Sequence, residues 1–149
     1  MKPFILLLLA GTIFSVAFAG GENRPSGARS AAMGNASVAL SDIWSAFNNQ
    51  AGLARINEAG AGFYYENRYM LKELGYKAGV FALPTKAGNL GLSFNHFGYS
   101  AYNESKIGLA FAKGFGKHIA FGVQLDYNMA RLAESYGNRN FLTFEAGML

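Results

Sequence analysis

His118-Ile119-Ala120-Phe121-Gly122-Val123-Gln124-Leu125-Asp126-Tyr127-Asn128-Met129 is the stretch that decides the fold. Every second residue is large and apolar: Ile119, Phe121, Val123, Leu125, Tyr127 and Met129. The residues between them are small or polar: His118, Ala120, Gly122, Gln124, Asp126 and Asn128. Strand side chains point alternately to opposite faces, so this spacing predicts a β-strand with one greasy face and one small, polar face.

The pattern recurs on both sides. In Ser105 to Phe115, Ile107, Leu109, Phe111 and Phe115 oppose Lys106, Gly108, Ala110, Ala112 and Gly114. In Asn89 to Phe97, Leu90, Leu92 and Phe94 oppose Gly91, Ser93 and Asn95. In Phe141 to Met148, Leu142, Phe144, Ala146 and Met148 oppose Thr143, Glu145 and Gly147. Ala59 to Arg68 and Gly75 to Pro84 alternate more weakly; Lys77 shares the face of Phe81 and Leu83, which leaves the sides of that strand unassigned. These strands approach the ~9–11 residues that cross a bilayer rather than the ~5–6 usual in soluble proteins.

Composition points the same way. Gly numbers 19, aromatics make up 15% and charged residues only 15% of the 149 residues, against ~25% charged in ordinary soluble domains. The chain has no Cys, which removes disulfides and thiolate metal sites. Its formal net charge is +4, but the bases are scattered without a basic run, which argues against a nucleic-acid partner. Met1-Lys2, an apolar run from Phe4 to Phe14 and the small-x-small triplet Ala17-Phe18-Ala19 read in order as a secretory signal peptide over residues 1–19, cleaved before Gly20.

The links between strands are expected to alternate. Pro84-Thr85-Lys86-Ala87-Gly88 and Gly116-Lys117 read as tight turns, whereas Tyr69 to Leu74, Gly98 to Glu104 and Ala130 to Arg139 read as longer polar links. Outer-membrane barrels have short periplasmic turns and longer external loops. All the tyrosines, from Tyr64 to Tyr136, fall at or near the long-link ends, where an amphipathic ring suits a membrane interface.

Residues 20–58 differ. They are rich in Ala, Ser and Asn, do not alternate, and contain one short helical stretch expected around Asp42 to Phe47, capped by Ser41 or Asp42. No catalytic constellation emerges. His96 and His118 lack partner motifs, Gly98-Tyr99-Ser100-Ala101-Tyr102 lacks the second glycine of a nucleophile elbow, and no dense carboxylate or paired-histidine spacing suggests a metal. No enzymatic role and no cofactor are expected. Gln124, Asp126, Asn128 and Glu145 share the polar faces of their strands; they either line a polar lumen or merely cross-link an interior.

Two stretches carry a family resemblance: Gly27-Ala28-Arg29-Ser30-Ala31-Ala32-Met33-Gly34-Asn35-Ala36, then Ala39-Leu40-Ser41-Asp42 through Phe47-Asn48-Asn49-Gln50-Ala51-Gly52-Leu53-Ala54. They resemble the N-terminal signature of the FadL-like outer-membrane barrels, nearest the PorV/PorQ-like proteins of Bacteroidetes. The resemblance implies a plug or hatch inside the barrel, with Gly27, Arg29, Met33, Gly34, Asp42, Asn49, Gln50, Ala51 and Gly52 as its motif residues. It also implies transport of hydrophobic molecules or accessory work in type IX protein secretion. Gln50 departs from the family pattern, which has proline there.

The expectation is therefore an all-β, antiparallel, up-and-down transmembrane barrel, incomplete at about six strands where single-chain barrels start at eight. Residues 1–19 form the signal peptide, 20–58 the plug and 59–149 the partial barrel. Location in a bacterial outer membrane, with lipid, hydrophobic small molecules or exported cargo proteins as partners, goes with it. The chain is then part of a longer barrel or a truncated, inactive one, with a multichain barrel as another reading. A soluble secreted β-sheet binding protein and a membrane-embedded hydrolase are the competing classes.

Overall fold

The computed structural model describes residues 24, 26–132 and 137–149. The signal-peptide residues Ala17, Ala19 and Gly20 lie outside the described residues, as does Tyr136.

The architecture is one antiparallel sheet of six strands in sequence order: β1 (Gly60–Asn67), β2 (Gly75–Pro84), β3 (Asn89–Gly98), β4 (Tyr102–Phe115), β5 (Ile119–Leu132) and β6 (Asn138–Met148). Each strand pairs with its neighbours in sequence, and the sheet is open, with β1 and β6 as its edges. Before it come two short helices, α1 (Ala28–Ala32) and α2 (Ser45–Asn48), and a 3-10 helix over Gln50–Arg55. The helix expected around Asp42 to Phe47 starts later, at Ser45, with Trp44 at its N-cap and no side-chain cap; Asp42 instead closes the preceding turn, its Oδ1 accepting the Trp44 N–H at 2.9 Å. Neither α1 nor the 3-10 helix over Gln50–Arg55 was foreshadowed, because such short turns carry no readable period.

The first expected long link stands, running from Arg68 to Leu74 through two 3-10 turns, but the other two are shorter than their polarity suggests. β4 begins at Tyr102, so most of the stretch from Gly98 to Glu104 is strand, closed by a Tyr99 N–H to Tyr102 carbonyl bond of 2.7 Å. β5 runs on to Leu132 and β6 starts at Asn138, which absorbs much of the stretch from Ala130 to Arg139. Polar residues stay in a strand when their backbone groups are paired and their side chains reach water. The register shows this pairing without interruption, with Asn103 opposite Arg131 and Glu104 opposite Ala130. At the other end, Gly116, with φ 70° in the left-handed region, turns β4 into β5.

The burial of the two faces is inverted relative to an ordinary sheet. Phe121, Leu125, Phe144 and Leu109 are 48%, 53%, 68% and 61% exposed. The small, polar face is the buried one: Ala78, Ala82, Ser93, Ala110, Gln124 and Asp126 are each almost inaccessible. β2 resolves accordingly, with Lys77, Phe81 and Leu83 outward and Tyr76, Ala78, Val80 and Ala82 inward. What buries the inner face is the N-terminal segment, whose Ala46, Phe47 and Leu53 complete the core.

Candidate functional site

The inner face is built to be approached closely. Gly91 on β3 leaves room for Leu53, whose Cδ1 would stand 2.7 Å from an added Cβ. Gly62 on β1 does the same for Trp44, at 2.9 Å. On β5 and β6, Gly122 and Gly147 face the Gln50–Ala51 backbone and the Asn49 side chain so closely that a Cβ at either would overlap them. Gly62, Gly91, Gly122 and Gly147, which alternate with large apolar residues in the sequence, are thus places where the segment touches the sheet.

Contacts continue along the whole length of the strands. Near the long-link end, Tyr76 Oη lies 2.6 Å from Ser26 Oγ, and Arg24 stacks its guanidinium 3.3 Å from the centroid of Phe97. Near the short-turn end, Asn89 Nδ2 donates to the carbonyls of Leu53 and Ile56, at 2.7 and 2.8 Å. The segment therefore lies along the sheet rather than beyond its short-turn end.

The motif residues divide into three groups. Gly27, Arg29 and Asp42 shape the segment itself: Gly27 has φ 104° with Trp44 packed against its Cα, and Arg29 Nη1 stands 3.8 Å from Asp42 Oδ2. Met33 and Gly34 sit on the side away from the sheet; Met33 is 46% exposed and an added Cβ on Gly34 would meet nothing. Asn49, Gln50 and Ala51 form the contact with β5 and β6, with Gly52 beside them packed inside the segment. Asn49 Oδ1 accepts the Ala51 N–H at 3.2 Å, while its Nδ2 donates to the carbonyls of Val38 at 2.9 Å and Met148 at 3.1 Å. Gln50 Nε2 donates to Glu145 Oε2 at 2.6 Å. Gly52 fits under Ser45 and the Leu40 carbonyl, where no side chain fits.

Gln124, Asp126, Asn128 and Glu145 all face this contact. Gln124 Nε2 donates to Asp126 Oδ1 at 2.7 Å, and Asn128 Nδ2 to Thr143 Oγ1 at 2.8 Å. Lys106, which the sequence did not single out, joins the carboxylates, with Nζ 3.6 Å from Asp126 Oδ2 and 3.0 Å from Glu145 Oε1. Its shared parity with Gly108 and Ala110 put it on this face, but only the strand register sets it diagonally across from Asp126. Gly108 gives the cluster its space, since an added Cβ would run into Ser93, Gln124 and Asp126. The arrangement ties three strands and the segment together with paired charges and hydrogen bonds.

Carboxylates keep to one face of the strands, where Lys106 and, by register, Arg139 join them. The strand carboxylates, Glu66, Glu104, Asp126 and Glu145, all point inward by register, whereas Lys77, Lys113 and Arg131 point outward. His96 is outward too, with Nδ1 2.8 Å from Ser105 Oγ on the neighbouring strand. No strand carboxylate shares that face to orient its ring, and His118 lies at the opposite end, in the β4–β5 turn. Among the described residues no group of three His, Cys, Asp or Glu side chains is placed to hold a metal ion, and no helix is long and apolar enough to cross a membrane.

Comparison with protein-family models, with curated proteins and with solved structures found no match for this chain.

Proposed function

We propose that this chain is an outer-membrane β-barrel protein of the FadL/PorV-like type, exported by its N-terminal signal and acting in the passage of hydrophobic molecules. Accessory work in type IX secretion is the other role that the family resemblance implies.

The observation that carries this reading is the inversion of the sheet. An outward apolar face is costly in water and favourable in lipid, at about 25 cal/mol per Å² of apolar surface. Outer-membrane strands place apolar residues outward and polar ones inward. Here β5 keeps large apolar side chains outward from Ile119 to Tyr127. At about 3.3 Å per residue that is roughly 27 Å of strand, or about 20 Å once tilted, near the ~25 Å apolar band of such barrels. The row Tyr65, Lys77, His96 and Ser105 borders the band with amphipathic and polar groups. The N-terminal segment, seated on the inner face, then takes the place of a plug.

Fractionation of cells expressing the gene tests the reading. The expected result is recovery in the outer membrane, with faster migration of the unheated than of the heated protein in detergent gels. Recovery as a soluble periplasmic protein would refute it, and would favour the secreted binding-protein class.

A further inference from the structure

Gly79 is a glycine that the fold does not require. Its backbone is not in the left-handed region, and an added Cβ would stand 3.5 Å from Phe63 Cε1, an ordinary contact. This sets it apart from Gly62, Gly91 and Gly122, where the covering segment fills the space. Gly79 lies on the outward face, directly between Phe63 on β1 and Phe94 on β3. The missing side chain opens a groove of about 420 Å³ walled by Phe63, Tyr65 and Phe94 and floored by Ala78 and Gly79. That volume falls in the ~300–1,000 Å³ range of ligand pockets.

One row nearer the long-link end, Tyr65, Lys77 and His96 stand side by side on neighbouring strands. Lys77 also lines the groove. Among the described residues it forms no ion pair, and the nearby Glu66 points to the other face. A cation without a counter-charge therefore stands at the head of an apolar slot.

We propose that this groove binds an anionic phospholipid, with one acyl chain between Phe63 and Phe94 and the phosphate on Lys77 and Tyr65. The proposal rests on the membrane reading above. An apolar chain suits the phenyl walls, which otherwise meet solvent: Phe63 is 92% exposed. An ammonium and a phenol at the boundary of the apolar band suit a phosphate and its ester oxygens. A zwitterionic headgroup offers less, because its own cation competes with Lys77 for the phosphate.

Native mass spectrometry of the full chain refolded in detergent, with phosphatidylglycerol and phosphatidylcholine of identical acyl chains, tests it. The wild type is expected to retain phosphatidylglycerol about fivefold better, the scale of one lysine near an anionic surface. Lys77→Gln should abolish that preference, and Gly79→Val should reduce retention of both lipids by filling the slot. Lys113→Gln, an outward cation at the other end of the band, should behave as wild type. Equal retention of the two lipids by the wild type overturns the proposal, as does unchanged preference in Lys77→Gln. Heat-modifiable migration of the wild type in vesicles, measured separately, distinguishes the two failures. A protein that inserts but shows no preference refutes the lipid site alone, and one that does not insert refutes the membrane reading with it.

Discussion

Gln50 donates from Nε2 to Glu145 Oε2 across 2.6 Å, and this bond fastens the covering segment to the last strand of the sheet. Gln50 is also where the proposed FadL-like reading would lead one to expect proline. The backbone accepts either residue: Gln50 is the first residue of its 3-10 helix, and Asn49 before it is extended, at φ −162° and ψ 105°. Proline is tolerated at a first helical position and favours an extended predecessor. Gln50→Pro and Gln50→Ala should therefore cost about the same, roughly 1.5–3 kcal/mol for a hydrogen bond to a charged group. Paired urea titrations of the two variants check this. A much larger loss for proline would show that the backbone at residue 50 is more constrained than its place at the start of the 3-10 helix indicates.

Gly122 and Gly114 lie on the same face but in different surroundings. A Cβ at Gly122 meets the backbone of Gln50 and Ala51, which cannot yield as a side chain would, whereas a Cβ at Gly114 meets nothing within 4 Å. Gly122→Ala should lift the segment from the sheet while the strands persist. Limited trypsin digestion reads this at Arg29, which is already exposed on the segment. Faster cleavage there with unchanged far-ultraviolet circular dichroism is the expected outcome for Gly122→Ala, and no change for Gly114→Ala.

The strands were legible where period two was strong, and for a physical reason: alternation reports directly on a two-faced surface. The stretch Gly75 to Pro84 keeps its bounds in the structure, and His118 to Met129 needs only small changes. The ends were misjudged where polar residues such as Asn103, Glu104 and Arg131 continue the ladder, because backbone pairing leaves no trace in side-chain polarity. The inner faces were legible as small and polar. Which groups meet on them was not, since Lys106, Asp126 and Glu145 come together only through the register of three strands. Tyr76 with Ser26, and Arg24 with Phe97, escaped notice for the same reason: their partners are far apart in sequence.

Lys106 is the cation between two carboxylates, and its side chain is 13% exposed against 0% for Asp126. Removing it leaves Asp126 and Glu145 facing each other without a counter-charge. Breaking a buried pair from one side costs about 3–5 kcal/mol. Lys106→Met should fall in this range by thermal or denaturant unfolding, and Lys106→Met with Asp126→Asn should recover a substantial part of it. A double variant no more stable than the single one would mean that Lys106 acts through packing of its methylenes instead of through its charge.

Leu125 separates lipid from water as the surroundings of the outer face. It stands outward near the middle of the apolar band, between Leu109 and Phe144 on the neighbouring strands, and is 53% exposed. In a water-facing sheet, Leu125→Arg is an ordinary surface change, within about ±0.5 kcal/mol. At the midplane of a bilayer the same substitution on a barrel strand costs about 2–4 kcal/mol, falling towards zero near the interfaces. Arginine scanned down the outward residues of β5, from Ile119 through Leu125 to Met129, should therefore give a cost that peaks at Leu125 and declines towards both ends. Folding titrations in phospholipid vesicles measure that profile. A flat profile would mean that lipid does not cover this face, and the inversion of the sheet would then have to be satisfied by a protein partner on the same surface.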